Sequence, residues 1–177
     1  MRRALLPHPT TPSPYVTEVT AEVRRDGRRL ELRYLLAGEM GEVRVPAQAP
    51  SARRDELWRR TCFEAFVRGQ GEGYVELNFS PSTEWAAYRF TGYREGMAPT
   101  DAAVEVHATR TARTLEVVAT ADLPEDLANA DWDVAVTAVV ETVDGALAYW
   151  SLAHPAGRPD FHHADCFCLR LPAPQTP

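Results

Sequence analysis

The sequence predicts an all-β protein, an antiparallel β-sandwich or barrel of about ten short strands with one or two short helical turns. Three observations predict it. Asp26-Gly27 sits at the centre of "AEVRRDGRRLELRYLL", and Asp144-Gly145 at the centre of "VVETVDGALAYWSL"; each pair is flanked by alternating apolar residues, the pattern of a tight hairpin. Between and around them, further β-rich runs recur at regular intervals separated by turn residues.

Taken in order, residues 1–14, "MRRALLPHPTTPSP", are proline-rich and form an N-terminal extension. "YVTEVTAEV" and the first hairpin open a single domain spanning 15–171. "SARRDELWRR" (51–60) reads as a short helical turn leading into "TCFEAFV" (61–67), followed by the strands "YVELNFS" (74–80) and "WAAYRF" (85–90). "VEVHATRTARTLEVVATA" folds back around 110–112, and "LPEDLANA" (123–130), with proline near its start and two carboxylates in the first turn, makes one or two helical turns. Trp132, in "NADWDVAV", is assigned to packing. The second hairpin and the strand "ADCFCLRL" close the domain, and 172–177 form a proline-rich tail.

At 177 residues the chain is long enough to bury a core without staples. Its formal charge of −6 repels polyphosphate, so no nucleic-acid partner is expected. The apolar part of the N-terminus runs only from Ala4 to Leu6 before Pro7, too short for an export signal, and no apolar run approaches the roughly 18 residues of a membrane span. Cys62, Cys166 and Cys168 form no C-x-x-C pair, which suits the reducing cytoplasm.

The candidate site starts from strand parity. In "YVELNFS", Val75, Leu77 and Phe79 face one way, while Tyr74, Glu76 and Asn78 face the other. In "TCFEAFV", Glu64 shares its face with Cys62 and Phe66. Paired through the turn "RGQGEG", these strands bring Glu64, Glu76 and Asn78 together. The alternative is that these polar positions lie on a solvated outer face, but the aromatic residues among them would then form a costly exposed patch. Buried, the carboxylates need an arginine, a cation or a hydroxyl-bearing ligand; Arg60, Arg89 and Tyr88 are nearest in sequence.

A second constellation, "YWSLAHPAGRPDFHHADCF" (149–167), gathers Trp150, His154, Arg158, Asp160, His162, His163 and Asp165 in a turn-rich segment that can supply a second wall. His154 with His162 or His163 and an aspartate has the chemistry of a zinc site, but the spacing matches no strong metal signature, and no metal is expected. No G-x-S-x-G, P-loop, G-x-G-x-x-G or H-E-x-x-H motif occurs. Paired glutamates are compatible with glycoside chemistry only at the right separation.

The strings "DELWRRTCFEAFV", "YVELNFSPSTEWAAYRF" and "YWSLAHPAGRPDFHHADCF" resemble the DOMON-like family of bacterial proteins, related to carbohydrate-binding module family 9 and to the sugar- and haem-binding DOMON β-sandwiches. The resemblance covers about residues 50–170. It implies an immunoglobulin-like or jelly-roll-like sandwich with a ligand pocket on one sheet, where aromatic side chains clamp a sugar and charged or amide groups bond its hydroxyls. It offers Trp58, Glu64, Glu76, Asn78, Trp85 and Trp150 for that role; Arg60, Arg89, His154 and His162 complete the candidate set. The expected function is non-catalytic binding of a carbohydrate or another polyhydroxylated small molecule. The alternatives are a haem-binding redox domain, with Met97 and His107 as the only plausible ligand pair outside the histidine-rich loop, a carboxylate-based glycoside-active enzyme, or a protein-interaction module. No cofactor is expected on the first reading.

Overall fold

In the computed structural model, described here for residues 2–174, the chain forms twelve strands: β1 (Arg2–Pro7), β2 (Val16–Asp26), β3 (Arg29–Gly38), β4 (Cys62–Arg68), β5 (Tyr74–Phe79), β6 (Trp85–Phe90), β7 (Ala98–Pro99), β8 (Ala103–Arg110), β9 (Thr114–Asp122), β10 (Trp132–Glu141), β11 (Leu147–Ser151) and β12 (Leu169–Leu171). Eleven lie in the order β7-β6-β5-β4-β10-β11-β1-β2-β3-β9-β8, and β12 pairs with the stretch of β10 that β11 leaves free. The all-β, antiparallel character agrees with the sequence. The expected sandwich would hold two separate sheets; the strands here belong to one sheet that curls until its two arms share a core.

The join is β1. Its Leu6 and Pro7 pair with β11, and Arg2 to Leu5 pair with β2, so one strand belongs to both arms. This changes the reading of residues 1–14 as an extension, because Arg2–Pro7 is integral to the sheet. Proline at the strand's end is tolerated because no ladder donor is required there. In the tail, Pro172 to Pro174 lie outside any strand, and 175–177 fall outside the described residues.

Both hairpins form. The first turns at Gly27-Arg28, since Asp26 pairs with Arg29, and Gly27 has φ +59. Both expected helical segments shrink to single 3-10 turns, Leu57–Arg59 and Glu125–Leu127; a third, Ala164–Cys166, occupies the start of the run read as the last strand.

The two arms differ in how they meet water. β3 and β9 alternate buried with half-exposed residues, the pattern of a sheet with one wet face. β4, β5 and β10 are buried almost throughout. One face of these three strands packs into the shared core, where Tyr34 of β3 lies 4.9 Å from the Phe63 ring and donates a 2.7 Å hydrogen bond to the Glu64 carbonyl. The other face is covered by Leu57, Phe161, Cys166 and Phe167 from the connecting segments, which makes a second apolar cluster.

Gly38 marks a close approach at the end of β3. A Cβ there would stand 2.0 Å from the Tyr15 carbonyl oxygen, which also accepts the Glu39 N–H. Gly38→Ala is expected to cost about 2–3 kcal/mol, since backbone must yield rather than a side chain. The check is the unfolding midpoint, which should fall by roughly 5–10 °C.

Candidate functional site

The register of β4 and β5 decides the site. Glu64 pairs directly with Asn78, and Phe66 with Glu76, so both glutamates and the asparagine point to one face, as the sequence predicts. Continuing across the sheet, Glu76 pairs with Tyr88, and Thr137 of β10 pairs with Glu64. The face is not solvated: Glu64 is 2% exposed, Glu76 5% and Asn78 0%. Above the glutamates opens a cavity of about 510 Å³.

Its floor is acidic. Thr137 Oγ1 donates to Glu64 Oε2 at 3.1 Å, and Asn78 Nδ2 donates to Glu76 Oε1 at 2.8 Å. Burial pushes the Glu64 carboxyl well above the usual range, with the neighbouring Glu76 charge adding to the effect and the Thr137 hydrogen bond opposing it. Burial likewise raises Glu76 to about 7, against the pull of Asn78 and Arg94. The walls are apolar and largely aromatic, with Trp58, Phe66, Phe90, Tyr149 and Phe161 contributing.

The segment 153–167 closes one side. His162 lies against Phe66 and Phe90 at ring distances of 5.1 Å, and its Nδ1 shares a 2.7 Å hydrogen bond with the Tyr74 hydroxyl. Its Nε2 stands 3.8 Å from Glu76 Oε2. Burial and the Arg94 charge lower the His162 pKa to about 4, so the ring is neutral and brings no cation to the floor. At the rim, Arg94 donates to Asp160 at 2.7 Å, and Tyr93 also donates to that carboxylate. Burial works against the Asp160 charge, but these two donors hold its pKa below the ordinary value. Arg94 occupies the left-handed region at φ +56, with its N–H 3.2 Å from the Tyr74 hydroxyl, so a conformation unfavourable to arginine is held over the cavity.

Of the ten residues singled out from the sequence, Trp58, Glu64, Glu76 and His162 line the cavity, with Asn78 buried beneath it. The other five are elsewhere. Arg60 pairs with Glu141 at 2.8 Å, and Arg89 makes two hydrogen bonds to Asp126 at 2.7 and 2.8 Å. Trp85 pairs with Phe79, and Trp150 with Ala138, so both indoles point to the core face. His154 Nε2 donates to the Leu6 carbonyl at 2.8 Å, edge-on to His8. Arg94, Tyr149, Phe90 and Thr11 line the cavity without having been singled out. Tyr149 was legible by parity, because it alternates with Trp150; Arg94 and Thr11 arrive through loops and left no such signal.

The haem pair is not brought together. Met97 is at the cavity, whereas His107 is exposed on β8 and does not line it. The histidines proposed for zinc are also dispersed, with His154 at the β1 join and His163 beside Asp165. Among the described residues, no three His, Cys, Asp or Glu side chains cluster as a metal site, and no helix is long and apolar enough to cross a membrane.

No protein-family model matches the chain, and no curated protein matches it. The fold is similar to a crystal structure from Bacteroides uniformis ATCC 8492, described as that of a "putative carbohydrate-binding protein". The two share 16% identity with a TM-score of 0.70, over 95% of this chain and 84% of the other. At that identity the likeness concerns the fold.

Proposed function

We propose that the protein is a non-catalytic binding domain for a carbohydrate or a closely similar polyhydroxylated small molecule, held in the cavity over Glu64 and Glu76. The single observation that carries this reading is the composition of that cavity: hydrogen-bonding carboxyls at the floor and aromatic faces on the walls. Hydroxyls answer the first and the apolar face of a sugar ring answers the second. The fold likeness supports the reading as an analogy, as does the resemblance to the DOMON-like family and to carbohydrate-binding module family 9. The aromatic clamp in this proposal is Trp58 with Phe66, Phe90 and Tyr149, in place of the Trp58, Trp85 and Trp150 set offered by sequence motifs. A reducing, cytoplasmic setting fits the free cysteines Cys62, Cys166 and Cys168.

The test is a thermal-shift screen against mono- and disaccharides, with sugar recovered and analysed afterwards. A saccharide at about one hundred times its dissociation constant is expected to raise the midpoint by roughly 5–10 °C, corresponding to about 2.7 kcal/mol. Recovery of the sugar unchanged supports a binding domain; product formation overturns the non-catalytic reading in favour of a glycoside-active enzyme. No shift with any saccharide removes the carbohydrate assignment.

A further inference from the structure

Resting on the carbohydrate reading of the cavity, we propose that its ligand presents a protonated amine to Glu64 and Glu76, which makes free amino sugars the class of saccharide that this site takes. Among the described residues, the floor holds two carboxyls and no cation. Among the described residues, Glu64 Oε2 has the Thr137 hydrogen bond, while Oε1 receives no donor although its side chain is 98% buried and lines the cavity. Glu76 Oε1 receives Asn78, and Oε2 has only the His162 nitrogen at 3.8 Å, beyond hydrogen-bond length. Two oxygens therefore face the empty volume with unused acceptor capacity.

The nearby cations do not answer them. Arg94 draws on Glu76 only through space because its guanidinium bonds Asp160, Arg158 lines the cavity but forms no ion pair with either glutamate among the described residues, and His162 is neutral. The remaining titratable neighbours, Tyr74, Tyr149 and Cys62, are uncharged in their ordinary forms, and Tyr34 donates from behind the sheet to the Glu64 backbone. A neutral sugar hydroxyl would donate one hydrogen bond and leave the carboxyls holding their protons, since burial without a counter-charge disfavours their ionised forms. An ammonium group supplies up to three donors and the missing charge. The surrounding aromatic walls also favour a cation, whose charge is attracted to the ring faces. Placing that cation lowers the carboxyl pKa values, so protons held by the floor must leave as the ligand enters.

Isothermal titration calorimetry of the wild-type chain at pH 7 tests this, with glucosamine, glucose, N-acetylglucosamine and cyclohexylamine each titrated in two buffers of different ionisation heat. Glucosamine is expected to bind about tenfold more tightly than glucose or N-acetylglucosamine, the scale of one charge-assisted contact, with net release of protons to the buffer. Glu64→Gln and Glu76→Gln should each reduce that preference, while their unfolding midpoints verify that they remain folded. Equal affinity for the three sugars, or binding of glucosamine without proton release, overturns the amine assignment and leaves the carbohydrate reading intact. Cyclohexylamine binding as tightly as glucosamine supports the amine and overturns the carbohydrate reading. Binding of none of the four overturns both.

Discussion

Glu76→Gln raises the stability of the unliganded protein at pH 8 and leaves it nearly unchanged at pH 4. The side chain is 5% exposed, and burial raises its pKa from 4.5 to about 7. In the unfolded chain the proton leaves near pH 4.5, but in the folded chain it is retained until about 7. Below pH 4.5 both states are protonated and nothing is lost. As pH rises between these values the unfolded state is progressively favoured, and above about 7 the penalty is complete, at roughly 3 kcal/mol. Gln carries no such penalty, and its amide oxygen still accepts from Asn78 Nδ2. Removing the Glu76 charge also relieves Glu64, whose raised pKa depends in part on it. Unfolding by urea at pH 4, 6 and 8 measures the effect as a difference between variant and wild type. His162, whose pKa is lowered to about 4, contributes the opposite slope: stability present above pH 6.5 is lost as pH falls toward 4. That slope is common to both proteins and cancels in the difference. A variant no more stable than wild type at pH 8 would mean that the Glu76 carboxyl is better solvated than its burial indicates. A gain in stability on removing the carboxyl would accord with its being retained for the proposed ligand at a cost in stability.

Trp132→Ala lowers stability by about 3–5 kcal/mol, the range for deleting a large buried aromatic. The indole is fully buried, and its Nε1 donates to the Leu127 carbonyl at 2.8 Å, tying β10 to the 3-10 turn Glu125–Leu127. Over its ring, at 3.7 Å, lies the Arg25 guanidinium. Arg25 in turn donates to the carbonyls of Ala128 and Ala130 at 2.8 and 2.7 Å and to that of Leu171 at 3.3 Å. One arginine at the end of β2 thus gathers the 3-10 turn and the last strand, with the indole as its seat. Thermal unfolding should show a midpoint lower by roughly 10–15 °C, while Trp132→Phe, which keeps the apolar ring and loses the Nε1 hydrogen bond, should lose less. An equal loss in the two variants would place the cost in the hydrogen bond instead of the packing. Binding to the cavity should be unaffected in variants that remain folded, because Trp132 lies in the shared core on the other side of β10.

The sequence and the structure agree where a feature depends on period two and on a nearby turn. Glu64, Glu76 and Asn78 come together because the loop "GQGEG" joins adjacent strands, and a short loop leaves little freedom of register. The same rule, carried one strand further, excludes Trp85 and Arg89 from that face, since Glu76 pairs with Tyr88; carried to β11, it selects Tyr149 over Trp150. "RRDGRR" is different. Within this run Arg25 is withdrawn to bond carbonyls more than 100 residues away, and nothing local marks it among its neighbours.

By itself the sequence determined the all-β architecture, both hairpins, and the gathering of two carboxyls beside an asparagine on one sheet face, but not whether that face is buried. These are consequences of side-chain alternation and turn chemistry, which act over a few residues. Tertiary structure alone decided that β1 joins the two arms, that 153–167 folds over the carboxyls, and that His162 rather than His154 meets them. It also decided that Arg94 is spent on Asp160 at the rim and leaves the floor without a cation. Those outcomes depend on which loop closes over which face, and the free energy of that choice is distributed over contacts between residues far apart in the chain.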